Sequence, residues 1–220
     1  MSNLVIDENK VGSMIIDMNI FKDISIDTYE KYFKNCDDYS MKYVPMIVNA
    51  VFSTEIGLKY IQNFENDSYA KGHLLYEHWK KLSDNSKNCI VNYMRTIFNE
   101  AYDIKIVSDK ISDASNLFQE LRYFYEKSNH CVEPKFILEF MSAVAYLANY
   151  LYKHRDRGIP FLYVECLEEI KGEEKYSFDY WVFVIVSNKN DPSSSNYYEL
   201  LGSFVFIKFI SIRHLRIHQS

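Results

Sequence analysis

Glycine and proline are scarce, six and four residues of 220. So little of either leaves few obligatory turns and argues against a disordered chain. Low complexity is confined to the short run at 192–195. Cysteine is sparse as well. Cys36, Cys89, Cys131 and Cys166 stand far apart with no CxxC pair, which indicates neither a zinc site nor a disulfide framework. Reduced thiols are the expectation. Positive charge is not in excess: 25 Lys and Arg against 30 Asp and Glu give a net charge of −5. That excludes a general polyanion binder, whose affinity comes from Lys and Arg on phosphate, though not a local basic seam. Long hydrophobic runs are missing too. The most apolar stretches, 180–186 and 200–212, are too short to span a bilayer, and Lys208 interrupts the second. The opening MSNLVIDENKVGSMIIDMNIF has no basic region followed by an apolar run, so no signal peptide is expected. The chain reads as cytoplasmic, with no membrane partner, no metal and no cofactor.

What is present points to a helical core. Hydrophobic residues make up 48% of the chain, with 19 Tyr and 15 Phe, which suit wide aromatic contacts between helices. The length suits one domain with an appendage, or two small ones. The organising stretch is VPMIVNAVFSTEIGLKYIQNF, residues 44–64. On a helix Val44, Val48, Val51 and Leu58 share a stripe, with Ile47, Phe52 and Ile61 at its edges. Glu55 lies near the middle of that stripe and Lys59 one turn further on. A charge on an apolar face must be paired or sit at a wet seam, because burying it alone is costly.

The rest divides into three parts. Residues 1–38 read as an N-terminal extension, with MIIDMNIF strand-like and IDTYEKYFKN a short helix. Residues 39–157 read as a helical bundle: 39–64, with Pro45 tolerated in the first turn; LLYEHWKKL, ending near Leu82; 87–102; 109–127; and a final helix from Glu133-Pro134 to a stop at Gly158. Ser83, Asp84, Asn85 and Ser86 supply good N-cap residues between two of these. The predicted core joins Val48, Val51, Leu58, Phe118, Leu121, Ile137, Met141, Val144 and Leu151. Residues 158–220 read as a small antiparallel β-rich segment: FLYVECL, FDYWVFVIV and SFVFIKFISI are β-branched and aromatic runs, separated by KGEEK and NKNDPSSSN.

Three polar pairs have i, i+4 helical spacing: Glu55 with Lys59, His73 with Glu77, and Arg122 with Glu126. FSTEIGLK at 52–59, KGHLLYEHWKKL at 71–82 and LRYFYE at 121–126 together resemble HEPN-type helical proteins, over roughly residues 41–152. The resemblance implies a HEPN-like bundle of four or five helices, mainly α in class. It also implies a homodimer and a role in prokaryotic defence, as a toxin-type, metal-independent RNase or as the companion of a nucleotidyltransferase or antitoxin. RNA is the substrate it suggests. On that reading His73 moves the proton, Arg122 neutralises the phosphate and Glu55 orients one of them, with Lys59, Tyr125 and Glu126 contacting substrate. The family's catalytic signature is Arg, four to six residues, then His. Here Arg122 and His130 have seven residues between them, so the bundle does not meet it. Arg213 and His218 have four, but lie in the last eight residues, outside the bundle.

Each of these residues has a plainer alternative. Glu55 and Arg122 could form a structural ion pair that sets helix register, and a bidentate Arg could equally hold a phosphate. His73 could cap the short helix after Gly72, or serve as a general acid/base, as histidine often does. Tyr123 and Tyr125 suit packing as well as base stacking. The cluster Lys153, His154, Arg155 and Arg157 suits a solvated helix end or a phosphate track. The second functional reading is therefore a non-catalytic interaction or dimerisation module.

Overall fold

A computed structural model describes residues 8–34, 43–114, 130–132, 134–157, 159–176, 178, 182–187 and 205–210. Seven helices run through them: α1 (Glu8–Tyr32), α2 (Tyr43–Asn66), α3 (Leu75–Lys80), α4 (Asp84–Phe98), α5 (Ile104–Ala114), α6 (Pro134–Lys153) and α7 (Ile159–Ile170). Helix α2 lies between α1 and α6, α4 packs on α6 and α7, and α3 joins α2 to α5. None of the described helices is long and apolar enough to cross a membrane.

Helix α2 is buried on more than one stripe. Met46, Ile47, Ala50, Val51, Leu58 and Ile61 are in the core, and so are Ser53, Thr54, Glu55, Gly57 and Gln62. Small and polar residues let a neighbouring backbone approach. Ser53 donates to the Met18 carbonyl of α1 at 2.9 Å, and Ser25 of α1 donates to the Met46 carbonyl of α2 at 2.9 Å. A Cβ on Gly57 would stand 2.6 Å from Val144 Cγ1 of α6 and 3.0 Å from Met18 Sδ of α1. Three helices therefore meet where α2 carries no side chain. Of the predicted core, Val51, Leu58, Ile137, Met141, Val144 and Leu151 are buried together and Val48 is partly buried against them. Phe118 and Leu121 lie outside the described residues.

The helix ends follow the local chemistry. Ser83 caps α4 by accepting from the Ser86 N–H, and Asn99 closes it in the left-handed region at φ 53°. Asp103 accepts from the Ile106 N–H at 2.7 Å and opens α5 earlier than the apolar spacing alone suggested. The C-terminal basic residues follow α6 in a turn and are tied down locally. Arg155 lies over the Tyr152 ring and Arg157 pairs with Glu165 at 3.0 Å.

The expected fold class, a HEPN-like four- or five-helix bundle followed by a small antiparallel β-rich C-terminal segment, is corrected by these elements. The stretch read as an N-terminal extension carries α1, which places Ile15, Met18 and Tyr29 in the core, and Phe33 in the turn after it is buried too. FLYVECL, read as a strand, lies in helix α7, with Leu162, Tyr163, Cys166 and Ile170 buried on one face. Both misreadings have one cause. Ile16, Ile20 and Ile24 on α1, and Phe161 and Val164 on α7, are apolar but exposed. They fill the polar half of each pattern and hide the 3.6-residue period. Three short strands, β1 (His130–Val132), β2 (Val182–Ser187) and β3 (Val205–Ile210), pair antiparallel in that order, His130 opposite Ile185 and Val182 opposite Ile210. Because β1 comes from between α5 and α6, and 159–170 is helix, the described residues contain no separate β-rich C-terminal unit.

Candidate functional site

Glu55 is placed by α2, and its side chain sits among core residues with the whole residue only 5% exposed. One of its oxygens gathers two nitrogen donors. Lys59 Nζ lies 2.6 Å from Oε1, one turn along α2, and His73 Nδ1 lies 3.0 Å from the same atom. The other oxygen, Oε2, is buried with no hydrogen-bond partner among the described residues. A buried carboxylate of this kind is tolerated because an ammonium pairs with its charge and a ring nitrogen lies within hydrogen-bond reach of the same oxygen. Lys59 also lies 5.7 Å from the centroid of the Tyr69 ring. The His73 side chain, in contrast, is 65% exposed. The dyad therefore runs from a sealed carboxylate to a solvent-facing ring.

The loop between α2 and α3 brings His73 to this point. Gly72 has φ +112°, in the region that disfavours L side chains, and a Cβ there would meet nothing within 4 Å. Backbone conformation, not space, is thus what asks for glycine. The Gly72 carbonyl lies 3.1 Å from His78 Nε2, and His78 Nδ1 lies 3.2 Å from Gln62 Nε2. These contacts fit one tautomer, in which Nε2–H donates to Gly72 and Nδ1 accepts from Gln62. Burial pushes the His78 imidazole below its usual value, which keeps it in that neutral form. Gln62 also donates to the His78 carbonyl at 2.9 Å and accepts from the Ala70 N–H at 3.0 Å. Gln62 and His78 thus pin both ends of the loop that carries His73.

Glu55, Lys59 and His73 meet at one oxygen. Arg122, Tyr125 and Glu126 lie outside the described residues, as do Tyr123, Arg213 and His218. His73 does not cap α3: Leu74 holds the cap position, and no side chain bonds there. Glu77 turns to Lys80 at 2.7 Å.

Sequence reasoning missed Gln62 and His78, and it missed a second buried carboxylate. Glu139 on α6 is fully buried and accepts from the Tyr102 hydroxyl at 2.6 Å, with Lys135 Nζ 3.7 Å away. The signal was available: a lone Glu in the apolar run FILEFM calls for a partner just as Glu55 did. Glu65 went unnoticed for a different reason. It is partly exposed, and it joins α2, α4 and α7 by accepting from Ser86 Oγ at 2.7 Å and Tyr163 Oη at 2.8 Å.

No protein-family model, curated protein or solved structure matches the chain. The likeness to HEPN-type proteins rests on the three stretches quoted for it.

Proposed function

We propose that this chain is a HEPN-like, metal-independent endoribonuclease of a defence or toxin type. The supporting observation is the His73–Glu55 dyad, an exposed imidazole whose Nδ1 is held 3.0 Å from a buried carboxylate. A carboxylate on one ring nitrogen sets the tautomer and assigns proton transfer to the other. In the proposed reaction the 2′-hydroxyl of RNA loses its proton to His73 and attacks the adjacent phosphorus. The bond to the 5′-oxygen breaks, that oxygen takes up a proton from water, and His73 releases the proton it took back to solvent. A 2′,3′-cyclic phosphate and a 5′-hydroxyl result. Lys59 and Arg122 are the cations assigned to the phosphate charge.

The test is cleavage of single-stranded RNA by the full chain in excess EDTA. Wild type should cut and leave cyclic phosphate ends. His73→Ala should abolish cutting while the helical circular-dichroism signal persists. Should His73→Ala keep cutting and deletion of residues 213–220 stop it, the site belongs to Arg213 and His218 instead. Absence of cleavage by well-folded wild-type protein would leave the second reading.

That second reading is a non-catalytic interaction or dimerisation module. It is favoured by Ile16, Ile20 and Ile24, which are 62%, 50% and 44% exposed and stand one turn apart along α1. Such a row is what a partner helix covers. Ile20→Asp should then lower the molar mass measured by light scattering without loss of helix.

A further inference from the structure

A concavity elsewhere in the protein shares no residue with the His73 dyad. It is a cavity of about 420 Å³ between the C-terminal half of α1, the end of α4, the middle of α6 and the segment that follows α7. That segment folds back because the Tyr176 N–H donates to the Ile97 carbonyl at 3.0 Å, and Phe178 is buried beyond it.

Five of the lining residues are aromatic, and their rings touch in sequence. Tyr146 meets Tyr93 at 4.6 Å between centroids, Tyr93 meets Phe98 at 6.0 Å, Phe98 meets Phe178 at 5.7 Å, and Phe178 meets Tyr176 at 4.9 Å. The charges around them are unequal. Asp23, Glu30 and Glu174 line the cavity against one ammonium, Lys22, which already lies 3.3 Å from Asp23. Lys34 approaches Glu30 at 2.6 Å and sits 5.7 Å from the Tyr176 ring centroid. Even counting Lys34, carboxylates outnumber cations. The Tyr146 hydroxyl oxygen is buried with no partner among the described residues.

We infer that this cavity binds a small organic cation, of the alkylammonium or protonated-heterocycle class. Ring faces carry negative potential and attract a desolvated cation, and carboxylates at the same wall add to the attraction. The volume lies within the range of small-molecule pockets. An anion would meet the carboxylates with no cation to spare. A neutral apolar ligand would make no use of them. For a ligand that carries an N–H, the Tyr146 oxygen is an available acceptor.

The test uses three probes of one shape on the full chain, by titration calorimetry: choline, 3,3-dimethylbutan-1-ol and 3,3-dimethylbutanoate. Choline should bind with a Kd of about 1 mM or tighter. The neutral and anionic probes should bind at least about tenfold more weakly. Tyr146→Leu should weaken choline about three- to tenfold, while Tyr146→Phe keeps most of the affinity. Glu174 is exposed, so Glu174→Gln leaves the fold intact and should also weaken choline. The inference is overturned if choline fails to saturate at about ten times that concentration. It is equally overturned if the neutral probe binds as tightly, or if Glu174→Gln and Tyr146→Leu leave choline binding unchanged.

Discussion

At the scale of single residues, the polar side chains of the core constrain the protein most. Glu55 is buried with Lys59 and His73 on one oxygen, so its removal strands a largely buried ammonium. Taking away one partner of a buried pair costs about 3–5 kcal/mol, whereas replacing both with apolar groups is often far milder. Glu55→Leu should therefore lower stability steeply in urea unfolding, and Glu55→Leu with Lys59→Met should recover much of the loss. Additive losses would mean that the pair carries no coupling. His78 adds a pH dependence. Its folded-state pKa lies below the usual 6.5, so below that pH the unfolded chain binds the extra proton first. Stability should fall as pH drops from about 6.5, because a protonated ring turns a second donor toward the Gln62 amide. His78→Asn should be less stable at neutral pH and flatter across pH 7 to 5. An equally steep acid slope in the variant would assign the proton uptake elsewhere.

At the scale of elements, the close approach of α1, α2 and α6 turns on Gly57. Alanine there would gain about 1 kcal/mol of helix propensity but would drive a Cβ into Val144 and Met18. Overpacking of this kind costs about 1–3 kcal/mol, and the nearer contact, Val144 Cγ1, is a branched side chain with little freedom to yield. Gly57→Ala should thus lower the thermal midpoint. A rise would show that the helices can separate slightly at no cost. The contrast with Gly72 is instructive, since that glycine serves backbone conformation and has open space around it. One glycine is required by packing, the other by φ.

At the scale of the whole molecule, α1 is part of the core and not an appendage. It buries Ile15, Met18 and Tyr29, with Phe33 in the turn that follows, and exchanges backbone-directed hydrogen bonds with α2 through Ser25 and Ser53. Each such apolar side chain contributes about 1.5–3 kcal/mol, against a usual total stability of about 5–15 kcal/mol. Deletion of residues 1–34 should abolish the cooperative urea transition followed by circular dichroism. A truncated chain that unfolds cooperatively at the same midpoint would restore the view of this stretch as an extension.

The amino-acid pattern alone determined the helices whose apolar residues recur at 3.6-residue spacing against a polar background. The central helix, the helix from Pro134 and the capped helix after Ser83 were all legible in this way, and so was the Glu55–Lys59 pair, because i, i+4 spacing is a local property. Helix α7 and the greater part of α1 were not legible as such, although the last turns of α1 fall within the short helix read at IDTYEKYFKN. Each carries exposed apolar residues on its outer face, and burial is a property of the fold, not of the residue. The approach of His73 to Glu55 spans 18 positions and depends on a loop that Gln62 and His78 pin in place. The aromatic wall draws on helices α4 and α6 and the segment after α7. Only the tertiary structure decides such meetings, because chain spacing does not encode which distant faces the packing of the core will bring together.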